Sequence, residues 1–154
     1  MNGIWRAAIL FIAEGAYVGR SPVAPGTVGT LVGVLLYFGI RNAGSYLYIS
    51  FIILLCLVGT WAAGKAEIIL GTKDSPSIVI DEIVGYLISM MVLPSTWGFV
   101  AAGFFLFRLF DIIKPWPLQG LQRIHGGVGV MLDDIGAGVY TNVILHIAEF
   151  IFSR

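Results

Sequence analysis

The sequence predicts an all-α fold, a polytopic helical membrane bundle with short or broken helices and a polar site at one membrane face. Three observations predict it. Hydrophobic residues make up 58% of the 154 and charged residues 12%, with a mean hydropathy of +0.92, whereas soluble domains carry about 25% charged residues. The apolar stretches have the length of helices, since a spanning helix takes about 20 apolar residues. Seven of the nine carboxylates, Glu67, Asp74, Asp81, Glu82, Asp111, Asp133 and Asp134, fall in connections that the alternation of spans puts on one side. The length suits a single domain over 1–154, domains being typically about 100–150 residues. Nine basic and nine acidic residues balance, so no overall field draws the chain to nucleic acid. Cys56 is the lone cysteine, inside an apolar run, and reads as a packed hydrophobe.

In chain order, Ile4 to Ile12 reads as a retained first helix, because Glu14 and a Pro-rich polar stretch follow it directly. Val28 to Ile40 is apolar and too short to cross a bilayer without tilt or thinning. Asn42 to Gly64 is free of charge and flanked by Tyr46, Tyr48 and Trp61, the pattern of a span with interfacial aromatics. Ile83 to Phe107 is also uncharged, but Pro94, Ser95 and Gly98 interrupt it. It is either a kinked span or a hairpin, and the shared chemistry of its two ends favours the hairpin. Ile135 to Phe152 closes the chain and carries His146 and Glu149. Glycines 26, 29, 33, 59, 64, 136 and 138 are placed to let helices approach closely.

The resulting path puts residues 20–27, 65–82 and 108–134 on one face, with Arg20, Lys65, Lys73, Arg108, Lys114 and Arg123. Arg41 and Arg154 fall on the other. An excess of Lys and Arg in short loops marks the cytoplasmic side.

Asp81-Glu82 and Asp133-Asp134 each stand directly before an apolar segment. One acid at such a place complements the helix dipole; two doublets exceed that need, and hard divalent cations such as Mg²⁺ prefer carboxylate oxygens. Glu67 and Asp74, with Lys65 and Lys73 close by, read instead as a solvated loop. In FRLFDIIKPWP, Arg108 and Asp111 share a helix face and Lys114 ends the helix before Pro115. Either this is an i,i+3 ion pair, or Asp111 ligates a metal while Arg108 and Lys114 take phosphate oxygens. The run GRSPVAPGTVGT lacks the Walker lysine, but its glycines and the helix start after it suit an anion. Ser21, Thr27 and Thr30 are phosphate-binding or capping hydroxyls there. His125 is a proton donor, a hydrogen bonder behind the ligands or a loop residue, with equal claims.

Taken together, SPVAPGTVGT at 21–30, SIVIDEIVGY at 77–86, FRLFDIIKPWP at 107–117 and HGGVGVMLDDIGAGV at 125–139 resemble the phosphatidylglycerophosphatase A family. The resemblance implies a Mg²⁺-dependent phosphatase acting on phosphatidylglycerophosphate in the bacterial cytoplasmic membrane. It places the family's acids on Asp81, Glu82, Asp111, Asp133 and Asp134 and its lysine on Lys114. Some relatives have histidine and glycine where this chain has Ser75 and Pro76. The implied chemistry is attack of water on phosphorus with one or two Mg²⁺ among the five acids, or alternatively a phospho-aspartate. Arg108, Lys114, Ser21, Thr27 and His125 form the expected phosphate-binding set. An ion or proton transporter using the same carboxylates, with Glu14, His146 and Glu149 extending a path inward, is the competing class.

Overall fold

A computed structural model describes residues 2–121 and 124–152. Arg123 and Arg154, both used in the charge-asymmetry argument above, lie outside the described residues. Helices α1 (Gly3–Ala13), α2 (Pro25–Ile40), α3 (Ser45–Leu70), α4 (Ile80–Ser89), α5 (Trp97–Ile113), α6 (Leu118–Leu121) and α7 (Gly127–Phe152) follow one another, with a 3-10 turn at Val18–Arg20. The described residues contain no strand.

Local chemistry sets most boundaries. Pro25 starts α2 where its missing N–H costs nothing. Gly71, in the left-handed region at φ 69°, ends α3. The Thr96 hydroxyl accepts from the Phe99 N–H at the start of α5. The uncharged stretch from Ile83 to Phe107 is the expected hairpin: α4 stops at Ser89, a connection containing Pro94 turns the chain, and α5 brings it back.

Two segments differ from their sequence-based expectation. The span expected over Asn42 to Gly64 continues to Leu70, because Lys65 and Glu67 are long enough to reach a polar face from helical backbone. Helix α7 begins at Gly127, well before Ile135, so Asp133 and Asp134 lie in its second turn and not ahead of it. The glycines that suggested a flexible loop serve packing instead. A Cβ on Gly127 would fall 1.8 Å from the Thr60 carbonyl oxygen, and one on Gly129 2.0 Å from that of Ile124.

Helix α4 is the centre of the molecule. Every residue of it except Glu82 is buried, and α7, α2, α3 and α5 all pack on it. A short encased helix must satisfy its terminal carbonyls without water. The Tyr48 hydroxyl donates to the Leu87 carbonyl at 2.7 Å, and the Asn142 amide to those of Ser89 at 3.1 Å and Met91 at 2.9 Å.

Small residues allow the enclosure. A Cβ on Gly138 in α7 would meet the Gly85 carbonyl oxygen of α4 at 2.4 Å, and one on Gly85 would meet the Asp134 carbonyl oxygen at 2.8 Å. Gly29 and Gly33 lay α2 against Val79 and Tyr86, Gly59 and Gly64 lay α3 against Met131 and Gly127, and Gly136 accepts Leu118. All seven glycines expected to mediate close approach do so.

The outer surface is apolar. Leu35, Leu54, Leu57, Phe105, Ile147 and Phe150 are exposed, and α3 and α7, with mean hydropathies of 2.1 and 1.5 over their most apolar windows, are long enough to cross a membrane. At 26 residues each they extend about 39 Å. Apolar faces turned outward on helices with internally paired backbones suit lipid as the surrounding solvent.

Substitution of Gly138 by Ala drives a methyl into the α4 backbone, so we expect a loss of about 1–3 kcal/mol in thermal unfolding of the detergent-solubilised protein. Gly39→Ala, with open space around its Cβ position, should leave the unfolding temperature unchanged or raise it. Equal behaviour of the two variants would contradict the tight α4–α7 crossing.

Candidate active site at the acidic helix ends

The α4–α7 crossing determines which acids meet. Asp81 and Glu82 lie in the first turn of α4, and α7 passes Gly85 beside its own Asp134 carbonyl. One carboxylate oxygen from each of Asp81, Glu82 and Asp134 therefore falls within 4.8 Å of the other two. Helix α5, returning antiparallel, ends at the same place and adds Arg108 and Asp111. Arg108 Nη1 lies 2.5 Å from Asp111 Oδ2 and 3.8 Å from Glu82 Oε1.

Lys114 follows α5 in the left-handed region at φ 46°. Helical backbone is disfavoured before Pro115, and the resulting turn swings the side chain toward α7. Its ammonium group pairs with Asp133 Oδ2 and stands 3.8 Å from Asp111 Oδ1. Burial lowers the Lys114 pKa, but the hydrogen bond and charge of Asp133, with Asp134 and Asp111 behind it, more than reverse this, and the net shift is upward. The lysine is thus firmly cationic.

These groups are largely out of water. Asp81, Asp111, Asp133 and Asp134 are buried, Asp134 to 2% exposure. Asp81 Oδ1, Glu82 Oε2, Asp133 Oδ1 and Asp134 Oδ2 have no hydrogen-bond partner, and neither does Arg108 Nε. Buried carboxylates gathered without donors repel one another and lose hydration. A hard divalent cation answers both costs, and an all-oxygen donor set is what such ions take. The residues therefore fit a metal ion at Asp81, Glu82 and Asp134, while Asp111 and Asp133 are held against Arg108 and Lys114.

The Pro-rich loop reaches this cluster through backbone. A Cβ on Gly26, at the start of α2, would sit 2.2 Å from Glu82 Oε1 and 3.0 Å from Arg108 Nη1. Ala24 precedes the helix in the left-handed region and no side chain caps it, so the first N–H groups of α2 are open beside the acids. Thr27 lies on this turn. Ser21 closes a local turn, donating to the Val23 carbonyl at 2.9 Å, and Thr30 donates back to the Gly26 carbonyl at 2.8 Å. Neither caps α2. His125 is exposed in the connection leading into α7.

Three further participants escaped sequence reasoning. Glu14, 2% exposed, accepts from Arg20 Nε at 2.7 Å, pinning the loop that carries Gly26. The Asp74 N–H donates to Glu67 Oε1 at 2.7 Å. The Asp74 pKa is raised by lost hydration and then by the charge of Asp133, with Lys114 opposing. Asp74 is exposed in the connection after α3, as the solvated-loop reading expects, while Glu67 is half-buried in the last turns of α3. Gly26 was legible as a close-approach glycine, but nothing in the sequence pointed to Glu82 and Arg108 as what approaches it. The transport alternative gains no support: Glu14 is tied to Arg20, and the His146 ring pairs with the Asn142 carbonyl within α7.

Comparison with known proteins agrees with this geometry. The family model described as phosphatidylglycerophosphatase A matches residues 11–149. Phosphatidylglycerophosphatase A of Escherichia coli K12 is 39% identical over 137 residues, covering 88% of this chain and 80% of that protein. The protein of the same name from Haemophilus influenzae Rd is 34% identical, covering 92% and 89%. A Bacteroides thetaiotaomicron protein with a provisional phosphatidylinositol-3-phosphatase name is 37% identical, covering 92% and 94%. No solved structure matches. The chain belongs to the phosphatidylglycerophosphatase A family.

Proposed function

We propose that this chain hydrolyses phosphatidylglycerophosphate to phosphatidylglycerol and inorganic phosphate with Mg²⁺ as cofactor, at the cytoplasmic face of a bacterial inner membrane. The observation that carries the reading is the convergence of Asp81, Glu82 and Asp134, with unpaired buried oxygens, beside two cations suited to phosphate. Family membership supplies the lipid. The basic residues on the site face, Lys114 and Arg108 among them, support the cytoplasmic orientation.

Asp81, Glu82 and Asp134 would hold the ion, with Asp111 and Asp133 as the next ligands. When bound, Mg²⁺ supplies Lewis acidity and neutralises phosphate charge. Arg108 grips two phosphate oxygens with its planar fork, and Lys114 adds a point charge. Both cations rest against carboxylates without substrate, so they are already oriented. An arriving phosphate exchanges one anionic partner for another, and little reorganisation is required. Gly26 lets Glu82 and Arg108 close directly on the start of α2, where open N–H groups add donors for the phosphate. Water attacks phosphorus, the phosphate ester bond breaks, and the glycerol oxygen leaves with a proton. Thr27 and Ser21, from the segment around the start of α2, and the exposed His125 are the remaining candidates for contact with the phosphate.

The Bacteroides relative's name gives a second headgroup a specific motive. Phosphate release should therefore be compared on phosphatidylglycerophosphate, phosphatidic acid and phosphatidylinositol 3-phosphate, each with Mg²⁺ and with chelator. We expect the first lipid to be preferred and chelation to stop release. Equal rates on all three would refute the headgroup assignment, and chelator-resistant turnover would refute the metal.

Asp81→Asn, Asp111→Asn and Asp133→Asn should each lower kcat by about a hundred-fold or more, the scale of losing one transition-state electrostatic contact. The unfolding temperature of Asp81→Asn should stay near or above that of the parent, since it removes a buried negative charge with no basic partner, whereas Asp111→Asn and Asp133→Asn also lose an ion pair with Arg108 or Lys114 and should be no more stable than the parent. Wild-type turnover in any one of them removes that residue from the site.

Gly26→Ala gives a test that rests on the structure alone. Its methyl collides with Glu82 and Arg108, so turnover should fall while the helical circular dichroism is retained. Gly39→Ala on the same helix serves as the silent control.

A further inference from the structure

A cavity of about 140 Å³ opens on the face opposite the carboxylates, between the C-terminus of α2, the N-terminus of α3 and the α4–α5 connection. Arg41, Ser45 and Ser95 line it, with Tyr37 and Tyr48 as its walls. Tyr37 is eleven residues beyond Gly26 on α2, about 16 Å along the helix. A single water needs only about 10–15 Å³ of such space, so the cavity has room for a larger polar group.

Its electrostatics select the sign of that group. Arg41 forms no ion pair among the described residues: it donates once, at 3.4 Å, to the Ser95 carbonyl, and its guanidinium lies 4.7 Å from the Phe38 ring centre. These contacts orient the cation, which also stands at the C-terminus of α2, and leave it without a carboxylate partner among the described residues. Helix α3 starts beside it after Gly44, with no side-chain cap and no acid in its first turn, so the positive end of a 26-residue helix points the same way. The Tyr37 and Tyr48 hydroxyls are committed to Ser95 Oγ and the Leu87 carbonyl, which makes the walls rigid. No carboxylate lines the cavity.

We propose that this cavity binds a phosphate group, held by Arg41, the Ser45 hydroxyl and the first amides of α3. At a membrane face the abundant source is the phosphodiester of an anionic phospholipid in that leaflet; free phosphate has the same recognition chemistry. The site is separate from the acidic cluster and would anchor the α2–α3 and α4–α5 connections against the leaflet.

The detergent-solubilised protein should be titrated with short-chain phosphatidylserine, with phosphatidylcholine and with inorganic phosphate, reading bound ligand by native mass spectrometry and the unfolding temperature. Wild type should retain phosphatidylserine over phosphatidylcholine, and Arg41→Gln should weaken that retention by about ten-fold, as expected for one charged hydrogen bond. Ser45→Asp keeps the test decisive if Arg41→Gln folds poorly. A carboxylate at that position favours the helix start and fills the cavity with negative charge, so the protein should be at least as stable and lose the preference. Both variants should keep wild-type phosphatase turnover. Retention of inorganic phosphate alone, lost in both variants, supports the site with a free anion as its occupant. Equal retention of the two lipids and no phosphate by wild type, or an unchanged preference in both variants, overturns the proposal.

Discussion

The contact on which the rest of the structure depends is the crossing of α4 and α7 at Gly85 and Gly138. Backbone meets backbone there: the position of a Cβ on Gly138 is 2.4 Å from the Gly85 carbonyl oxygen. No other residue type permits that approach, and no wider one brings the first turn of α4 against the second turn of α7. Asp81 and Glu82 are thus placed beside Asp134 by two missing side chains. Because α4 is only ten residues long and surrounded by α2, α3, α5 and α7, it has little freedom to pivot. The geometry of the acids is therefore set by packing and does not depend on the acids attracting anything.

That matters because the acids do the opposite. Five carboxylates, Asp81, Glu82, Asp111, Asp133 and Asp134, face two cations, Arg108 and Lys114, so full ionisation leaves three negative charges in a mostly buried volume. In water such a group would spread apart. Here the glycine crossings and the satisfied carbonyls at the far end of α4 hold it together, and the electrostatic cost is stored as affinity for something positive. A phosphate substrate alone would increase the repulsion. A cation and a phosphate arriving together match a cluster that already contains both signs, and this is the physical reason the acidic doublets and the Arg108–Lys114 pair belong to one site.

Much of this was legible in the sequence. Charge-free lengths located the helices, Pro94 and Gly98 located the hairpin, and the glycines that proved to be crossings were visible as small residues in apolar runs. The limits have physical causes. Asp133 and Asp134 were read as preceding a helix because Gly126, Gly127 and Gly129 carry weak helix propensity, and tertiary packing against α3 overrode it. The reach of α3 to Leu70 was hidden because Lys65 and Glu67 look like loop in a hydropathy profile. Gly26 could not be singled out, since its importance lies in what occupies the space a side chain would take. Glu14 and Asp74 pair with Arg20 and Glu67, six and seven residues away and off the helical i,i+3 and i,i+4 spacing, and leave no periodic trace.

The same packing argument explains why short helices are useful here. A bundle made only of full spans would carry every helix end to the membrane surface, where water screens charge. Helices α4 and α5 have only ten and seventeen residues, while α3 and α7 supply the long apolar helices. The acids are buried where these helices meet. In the proposed reading a lipid phosphate would leave bulk water to reach them, and its charge would interact with Arg108 and Lys114 in a medium far less polar than water. The acyl chains need not leave the bilayer for this to happen. Burial of the acids thus follows from a single structural choice, a short α4 packed on all sides by α2, α3, α5 and α7.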